Sequence, residues 1–310
     1  MKFSRIGNSL RALVVKPDMN KGVRLIDVMP RVISEDSYKS GILLDGAIVQ
    51  AARVSYGEGT KKSNTDKGLI KYLLAHKHTT PFEMVEFKFH IKTPIFVARQ
   101  WFRHRTGSFN EISARYSVLP HEMYAPTDIR EQGASGLVSR QSSGALLEDS
   151  SLRQKWEGYS HLQSEMYGNY LELIHEHGVA RELARIGLPQ SMYTEFYWKV
   201  NLHNLLHFIR LRSHTTAQDE IREYTEEIFD IVKDLCPVTS EAFEEHILGS
   251  MTLSKTEIES IRNSENSLIG GSKRTNKEYL EKLKVLGLEQ NYKQDSSRGP
   301  RPTRRPKTEN

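Results

Sequence analysis

The chain has 310 residues, of which 37% are hydrophobic and 27% charged, a composition typical of a soluble globular protein that buries a core without disulfides or a metal. No apolar run approaches the roughly 20 residues of a membrane-spanning helix, and the first five residues lack the apolar segment of a signal peptide. The single cysteine, Cys236, excludes an intramolecular disulfide, so the sequence predicts a cytoplasmic protein with no membrane partner.

The first hundred residues contain one clear strand-to-helix transition. Between residues 85 and 91 apolar and polar side chains alternate, which is the period of a half-buried strand. Thr93 and Pro94 then supply an N-cap and a first-turn proline for a helix over 95–102. The other elements predicted here are strands over 10–15 and 23–29 and helices over 44–54 and 67–75.

The composition changes in the middle of the chain. Residues 127–158 are rich in Ser, Gly, Gln, Glu and Arg, so we expect a surface excursion or a partly ordered insertion. A helix over 159–177 follows, closed by Gly178. Its predicted apolar face consists of Leu162, Met166, Tyr170, Leu173 and Ile174.

The last third is predicted to be mostly helical. The helix over 201–212 has a core stripe of Leu202, Leu205, Leu206 and Ile209 and a second stripe of His203, His207 and Arg210. The spacings of Ser254 with Glu257 and of Thr275 with Glu278 indicate two capping boxes. The remaining elements predicted after residue 178 are a helical segment over 179–187, a strand over 192–200 and a helix over 217–235.

The positive charge is concentrated at the C-terminal end. The formal net charge is +5, and residues 291–310 hold six cationic and two acidic side chains, which leaves +1 for the rest of the chain. This segment is rich in Pro, Arg and Ser, so we predict a basic disordered tail. We therefore divide the chain into a main domain over 1–250, a helical extension over 251–290 and the tail over 291–310.

Several smaller patterns have ordinary structural explanations. The pairs His76/His78 and His203/His207 have spacings that metal sites use, but no zincin glutamate or cysteine cluster accompanies them, so we predict no metal. Thr80 begins an apparent helix cap that could also hold a phosphate. Glu182 and Arg185 lie one helical turn apart and are expected to form a surface ion pair. Cys236 follows an apolar run and is expected to be a buried structural thiol.

The run from Arg103 to Ser117 differs from these patterns, because it holds three arginines, a histidine, a glutamate, an asparagine and several hydroxyls with little apolar filler. Arginine forks match phosphate and carboxylate oxygens, so the run predicts a site for an anionic small molecule such as a nucleotide. Its carboxylate, Glu111, would repel a nucleic-acid backbone. Since the sequence contains no phosphate loop or dinucleotide fingerprint, side chains and helix ends would have to hold the nucleotide.

This run resembles the signature of the flavin-dependent thymidylate synthases, the ThyX family: Arg103-His104-Arg105, seven residues, then Ser113. Further blocks resemble the family in the family's order, between about Ile26 and Phe243. These blocks are Ala51-Ala52-Arg53-Val54-Ser55, His78-Thr79-Thr80-Pro81-Phe82-Glu83, residues 94–102, Ala184-Arg185-Ile186 with Leu188-Pro189, Tyr197-Trp198 with Asn201, and Leu211-Arg212 with Ala217-Gln218.

The resemblance implies a fold and a reaction. The fold is an α+β subunit with a central antiparallel sheet and helices, in a homotetramer whose active sites are shared between chains. The reaction is the methylation of dUMP to dTMP, with methylenetetrahydrofolate as the carbon donor and NADPH as the hydride source through FAD. dUMP, the folate and NADPH would thus be its small-molecule partners.

The resemblance also implies roles for individual residues. Arg212 would be catalytic, beside the pyrimidine, where an arginine stabilises negative charge without giving up its own proton. Ser113 has no adjoining histidine and carboxylate pair, so it is assigned to binding rather than to nucleophilic attack. FAD would be held by Thr80, Arg103, His104, Arg105, Glu111, Asn201, His203 and His207. dUMP would be held by Gln100, Arg103, Glu111, Ile112, Ser113, Ala114, Arg115, Arg185 and Arg212.

Two other classes of function remain open at this point. The basic tail and the arginine-rich run also suit a nucleic-acid-binding module, which would bind with a steep dependence on salt concentration. A non-catalytic oligomeric scaffold with the same fold is the other alternative. Bound flavin would distinguish the enzyme from both.

Overall fold

The computed structural model describes residues 2–7, 9–14, 22–55, 65–132, 143–147, 149–265, 267–268 and 270–288. The chain divides into two compact units, one extending to Gly249 and another that begins at Ser250. The predicted disordered tail over 291–310 and the centre of the predicted excursion lie outside the described residues. No helix in the described ranges is long and apolar enough to cross a membrane.

Strands in the described residues are β1 (Lys2–Arg5), β2 (Leu10–Val14), β3 (Val23–Met29), β4 (Val32–Ser34), β5 (Glu86–Pro94), β6 (Ser108–Glu111), β7 (Arg130–Gln132), β8 (Ser143–Leu146) and β9 (Tyr193–Asn201). Helices of the first unit are α1 (Glu35–Lys39), α2 (Asp45–Val54), α3 (Asp66–Ala75), α4 (Thr80–Glu83), α5 (Ile95–Trp101), α6 (Ser150–His175), α7 (Arg181–Ala184), α8 (Leu202–Arg212), α9 (Asp219–Leu235) and α10 (Pro237–Phe243). Helices of the second unit are α11 (Lys255–Arg262) and α12 (Lys273–Val285).

The central sheet is antiparallel and has the order β3-β5-β9-β6. Alternation in β5 buries Phe87, Phe89 and Ile91 completely and leaves Lys88 exposed, as the sequence predicts. Phe89 contacts Trp198 of β9 on the buried face, where the ring centroids are 5.9 Å apart. A mixed architecture with antiparallel sheets is thus confirmed.

The junction between β5 and α5 lies one residue later than predicted. Thr93 does not cap a helix, because it pairs with Thr194 in the sheet and is fully buried. Pro94 is the last residue of β5 and the N-cap of α5, with φ −59° and ψ 147° and no side-chain capping bond. A proline fits there because it keeps an extended conformation and need not donate to the sheet at the strand's last position.

One layer of helices packs on the buried face of the sheet. Trp101 at the end of α5 is completely buried and contacts Phe208 of α8, at 4.9 Å between ring centroids, and Trp198, at 5.4 Å. The predicted core stripe of α8 is confirmed, since Leu202, Leu205, Leu206 and Ile209 are all buried. The C-terminal end of α5 is therefore fixed against both the sheet and α8.

Helix α6 starts earlier than predicted and buries only part of its predicted face. It begins at Ser150, where the Asp149 side chain accepts a hydrogen bond from the Ser151 N–H. Of the predicted face, Tyr170 is buried and Ile174 is partly buried, whereas Leu162, Met166 and Leu173 are exposed. Gln163 and Tyr167 are buried as well. The apolar pattern did not predict the buried stripe, because this stripe contains a glutamine, Gln163, whose side chain accepts a hydrogen bond from the Ser191 hydroxyl.

The region over 127–158, predicted as a surface excursion, contains two short strands and an arginine that forms ion pairs with α9. β7 and β8 pair with each other, and the Arg130 side chain of β7 forms ion pairs with Asp219 and Glu220 at the start of α9. Glu220 also accepts a hydrogen bond from the Tyr124 hydroxyl at 2.9 Å. The described flanks of the excursion are thus attached to α9 rather than free.

Three predictions of helix starts have different outcomes. The capping box of Ser254 with Glu257 at α11 is confirmed. The predicted box at Thr275 is wrong, because Ser272 caps α12 by accepting from the Thr275 N–H, and Glu278 pairs with Arg274. At α4 the N-cap position is held by Thr79, without a side-chain bond, so Thr80 is the first helical residue rather than a cap.

A long-range cap holds the N-terminus of α10. Asp45 of α2 is completely buried and accepts hydrogen bonds from the Val238 N–H at 2.8 Å and the Thr239 hydroxyl at 2.5 Å. Burial raises the pKa of Asp45 to about 7 although these bonds favour the carboxylate. The neighbouring Cys236 is fully buried, which raises the pKa of its thiol. The prediction of a buried structural thiol is confirmed.

Candidate functional site

The triplet Arg103-His104-Arg105 begins one residue beyond the end of α5, after the C-cap residue Phe102. The His104 N–H donates to the Trp101 carbonyl at 2.9 Å, so the triplet leaves the helix at a point fixed by the buried tryptophan. Arg103 and Arg105 are exposed, and neither side chain has a hydrogen bond or ion pair within the described part of the chain. The side chains of Arg103 and Arg105 can therefore bind an anionic ligand near the end of α5.

His104 contacts an arginine at the end of α8. Arg212 Nε donates to His104 Nε2 at 2.9 Å, and Arg212 Nη2 donates to the Gln100 carbonyl oxygen at 3.1 Å. The His104 ring also lies edge-on to Phe208, at 4.9 Å between centroids, and 6.2 Å from the His207 ring. The ends of α5 and α8 thus bring together Gln100, His104, His207 and Arg212.

Burial sets the protonation of this cluster. The pKa of His104 falls to about 4 because the ring is buried and because Arg212 and His207 add positive charge nearby. Burial likewise lowers the pKa values of His207 and Arg212. The arginine remains charged at neutral pH, since its ordinary pKa lies above 12. His104 is therefore a neutral imidazole beside a fixed cation.

A glutamine outside the predicted set completes the cluster. Gln100 Nε2 donates to Gln218 Oε1 at 2.5 Å, immediately before α9 begins. Gln218 lies in one of the sequence blocks that resemble the family. The block marks Gln218 as part of a family motif, but it predicts no contact or role for this side chain. It fixes the side chain of Gln100, which the resemblance assigns to dUMP.

The segment after α5 forms the edge strand β6 and then a turn. Glu111 accepts a hydrogen bond from the Thr194 hydroxyl at 2.7 Å, and the Ile112 N–H donates to the Glu195 carbonyl at 2.9 Å. In the turn, Ala114 is buried, and the Arg115 N–H donates to Ser113 Oγ at 3.3 Å. The predicted substrate residues 111–115 therefore have an ordered backbone.

Arg115 and Arg185, two of the arginines predicted to bind dUMP, differ in their surroundings. Arg115 pairs with Glu182 at 3.1 Å, so the predicted pair of Glu182 with Arg185 is wrong. The observed pair of Arg115 with Glu182 could not be predicted, because these residues are 67 positions apart in the sequence. Arg185 is exposed, and its side chain has no hydrogen bond or ion pair among the residues that the structure describes. Its guanidinium is free to bind a ligand.

Thr80 lies in a separate groove of about 590 Å³ between α2, α3 and α4. His78 and Thr80 supply polar groups, and the walls are mainly apolar. Two of the blocks that resemble the family meet here, since the groove is lined by Gln50, Ala51, Ala52, Val54, Ser55, Leu69, Leu73, His78, Thr80, Pro81 and Met84. Such a lining suits a largely apolar ligand with a few hydrogen-bonding groups.

The remaining predicted residues are at the start of α8. Asn201 caps this helix, because its side-chain Oδ1 accepts a hydrogen bond from the Asn204 N–H at 2.9 Å, so this side-chain oxygen has a structural role. His203 and His207 follow on the same helix, on the stripe that faces away from the core. Within the described ranges, no three His, Cys, Asp or Glu side chains gather as they do at a metal site.

The predicted site residues thus form several groups in one chain. Gln100, His104, His207 and Arg212 are in direct or ring contact. Thr80, Glu111 and Arg185 have no hydrogen bond or ion pair with that cluster in the described residues. Hydrogen bonds and ring contacts therefore join only part of the predicted set within the described residues.

Comparison with known proteins decides between the classes of function. Residues 44–238 match the family model described as thymidylate synthase complementing protein. The flavin-dependent thymidylate synthase of Dictyostelium discoideum is 48% identical over 286 residues, which cover 92% of this chain and 90% of the relative. The chain belongs to the flavin-dependent thymidylate synthase family.

Other members of the family and a solved structure agree. A flavin-dependent thymidylate synthase of Thermus thermophilus is 52% identical, over 79% of this chain and 84% of the relative. A crystal structure of the UMP/dUMP methylase PolB from Streptomyces cacaoi, bound with 5-Br UMP, superposes with a TM-score of 0.60 at 31% identity and covers 75% of this chain and 96% of that chain. In this family member, every predicted site residue lies within the matched range 44–238.

Proposed function

We propose that the chain catalyses the reductive methylation of dUMP to dTMP, with methylenetetrahydrofolate as the carbon donor and NADPH as the hydride source through FAD. The observation that carries the proposal is the fixed Arg212 guanidinium beside the free cations of the Arg103 triplet, in a chain of this family. The cluster offers hydrogen-bond donors and positive charge, and a nucleotide offers acceptors and negative charge.

The residues present fit FAD. Its pyrophosphate needs cationic donors, and Arg103 and Arg105 are exposed and unpaired in the described residues. The mainly apolar groove at Thr80 suits a flat ring system. When bound, FAD supplies the redox chemistry. The residues proposed to hold it are Thr80, Arg103, His104, Arg105, Glu111, Asn201, His203 and His207.

dUMP would be bound by charged forks and by the ordered turn after β6. Arg185 is free to bind the phosphate directly. Arg115 can exchange Glu182 for the phosphate at little cost, because an exposed ion pair contributes only about 0–1 kcal/mol. The residues proposed for dUMP are Gln100, Arg103, Glu111, Ile112, Ser113, Ala114, Arg115, Arg185 and Arg212.

Arg212 is the proposed catalytic residue. Its contacts with His104 and Gln100 use two of the five guanidinium N–H groups, which leaves three for a ligand. A half-buried, pre-oriented cation stabilises negative charge as it develops on the pyrimidine, and does so without reorganising at the moment of reaction. The Cys236 thiol takes no part in this proposal, because it is completely buried.

We also propose that the protein is a homotetramer with shared active sites. Within the described residues Thr80, Glu111 and Arg185 make no hydrogen bond or ion pair with the Arg212 cluster, which is what we expect if a second chain helps to complete the site. Large apolar side chains of the same region, Tyr116, Leu162 and Ile186, are more than half exposed, and an oligomer would bury such side chains. In this scheme residues 1–250 form the catalytic domain, and the 251–290 extension and 291–310 tail are appended to it.

The absorption spectrum of the purified protein tests the proposal first. Flavin bands, with FAD released on denaturation, are expected, and a protein without flavin bands even after FAD is added would contradict it. Incubation with dUMP, methylenetetrahydrofolate and NADPH should then yield dTMP. Omission of each substrate in turn is the control, and light scattering measures whether the mass is four times 35.6 kDa.

A further inference from the structure

The contact between His104 and Arg212 is specific for one protonation state of the histidine. A guanidinium has N–H donors and no acceptor, so His104 Nε2, at 2.9 Å from Arg212 Nε, must be an unprotonated acceptor. The single proton of the neutral ring is then on Nδ1. No residue in the described part of the chain accepts from Nδ1, so this N–H can donate to a ligand.

Protonation of His104 would break the contact, because an imidazolium has no acceptor and repels the guanidinium. The charged or titratable groups around the ring are Arg212 and His207, both on α8, and the remaining ring contact is Phe208. Burial and these two groups lower the pKa of His104 to about 4. The ring therefore stays an acceptor at neutral pH.

The same contact restricts the guanidinium. Arg212 is attached at two points, to the imidazole and to the Gln100 carbonyl, and both belong to the end of α5 and the turn after it. An arginine free in solvent would lose rotamer freedom, and hence entropy, when it bound a ligand. Arg212 loses this freedom on folding, so binding does not incur the entropy cost again. The remaining N–H groups of Arg212 thus point in a direction set by the protein.

We infer that His104 is a positioning residue whose Nε2 orients Arg212 for the pyrimidine of dUMP, while its Nδ1–H remains available to a ligand. The inference rests on the proposed function, which assigns Arg212 to dUMP. It explains why a histidine stands between two arginines, since the imidazole is the one side chain of this triplet that can accept a hydrogen bond from Arg212. His104 would then couple the flavin-binding triplet to the nucleotide-binding arginine.

A double-mutant cycle on dUMP affinity tests the inference. The dissociation constant of dUMP is measured by calorimetry, at saturating FAD, for the wild type, His104→Leu, Arg212→Ala and the double variant. If His104 acts through Arg212, His104→Leu weakens binding about tenfold in the wild-type background and less than twofold when Arg212 is already alanine. A similar loss in both backgrounds would show that His104 acts on the ligand independently and would overturn the inference.

A conservative pair keeps the test valid if His104→Leu folds poorly. His104→Gln places a carbonyl acceptor near the position of Nε2, and His104→Asn has the same groups on a shorter side chain that cannot reach Arg212. The glutamine variant should bind dUMP within about threefold of the wild type and the asparagine variant about tenfold more weakly. Equal affinities of the two would contradict the inference.

His175→Leu is the control for the loss of an imidazole. This exposed ring at the end of α6 has no hydrogen bond or ion pair within the described residues and is not assigned to the site, so dUMP affinity should be unchanged at saturating FAD. An equal loss in His175→Leu and His104→Leu would overturn the inference. A wild type that holds FAD but does not bind dUMP would instead contradict the proposed function.

Discussion

Two polar clusters of the first unit differ in how fully their hydrogen-bonding groups are used. The Asp45 carboxylate, fully buried, accepts from the Val238 N–H, the Thr239 N–H and the Thr239 hydroxyl. Arg212, half-buried, uses only two of its five donors. The first cluster stabilises the fold because its groups are matched internally, and the second keeps donors for a ligand. Residual hydrogen-bonding capacity thus distinguishes the proposed functional cluster from the structural one.

The largest expected effect of breaking either cluster is on catalysis, at Arg212. Arg212→Ala should lower dTMP formation by about 10²–10³-fold, because it removes a fixed charge where negative charge develops. FAD content, measured by absorbance, should be retained. Arg210→Ala is the matched control, since this exposed arginine lies on the same helix and is not assigned to the site. Unchanged turnover in Arg212→Ala would refute its catalytic role.

At the other cluster the effect falls on stability. Asp45→Ala leaves the Val238 N–H and the Thr239 hydroxyl without acceptors, so the free energy of unfolding should fall by about 2–4 kcal/mol. Asp45→Asn keeps one carbonyl acceptor and should lose only about 1 kcal/mol. Urea denaturation at pH 6 measures both. Equal losses in the two variants would mean that the hydrogen bonds to α10 are not the cause.

The pH dependence of stability sharpens the same contrast. The pKa of Asp45 is about 7 in the folded protein and about 4 when unfolded, so the folded state binds the proton more tightly. The contribution of Asp45 to stability is then present below about pH 4 and is lost as the pH rises through 7. The difference in unfolding free energy between the wild type and Asp45→Asn should therefore decrease from pH 5 to 8. A constant difference would contradict the raised pKa.

A smaller effect is expected at Arg185, whose donors are free like the spare donors of Arg212. Arg185→Ala should weaken dUMP binding about tenfold, because a phosphate contact is lost. The unfolding free energy should change by less than about 0.5 kcal/mol, since the side chain is exposed and unpaired in the described residues. Arg181→Ala on the neighbouring helix, whose side chain donates to the Tyr116 carbonyl, is the control and should keep dUMP affinity.

The smallest effect on catalysis is expected at Cys236, next to the structural cluster. Cys236→Ser should keep its rate of dTMP formation per bound FAD within about twofold, because the thiol is buried away from Arg212. Stability should fall by about 1–3 kcal/mol, since a hydroxyl enters an apolar site. A folded variant with full FAD content but no activity would restore a thiol mechanism.

Local patterns in the sequence predicted the elements that local forces determine. The alternation over 85–91 predicted β5, and the apolar stripe over 201–212 predicted α8 with its buried face. The errors arose where distant residues decide. Pairing with β9 keeps Thr93 and Pro94 in the sheet, and a glutamine occupies the buried stripe of α6. Asp45 caps α10 from 193 positions away, which no local pattern reveals.

The candidate site shows the same contrast between what the local sequence predicts and what distant contacts determine. The family resemblance assigned Arg212, His104 and Gln100 to the site, and the structure brings the three residues into contact. Their hydrogen bonds were not predictable, because Arg212 is 108 positions from His104 and the geometry depends on how α5 and α8 pack. Gln218, which fixes the Gln100 side chain, was visible only as part of a motif.

Helix α8 has a further consequence for the proposed site. Asn201 caps its first turn, and Arg212 is its last residue, so residues proposed for the flavin begin at one end and the residue proposed for the pyrimidine is at the other. Eleven helical residues span about 16 Å, and the buried stripe prevents the helix from sliding. The helix would therefore fix the distance between Asn201, proposed to hold the flavin, and Arg212, proposed to contact the pyrimidine. One residue inserted into it would turn Arg212 by about 100° and move it by about 1.5 Å.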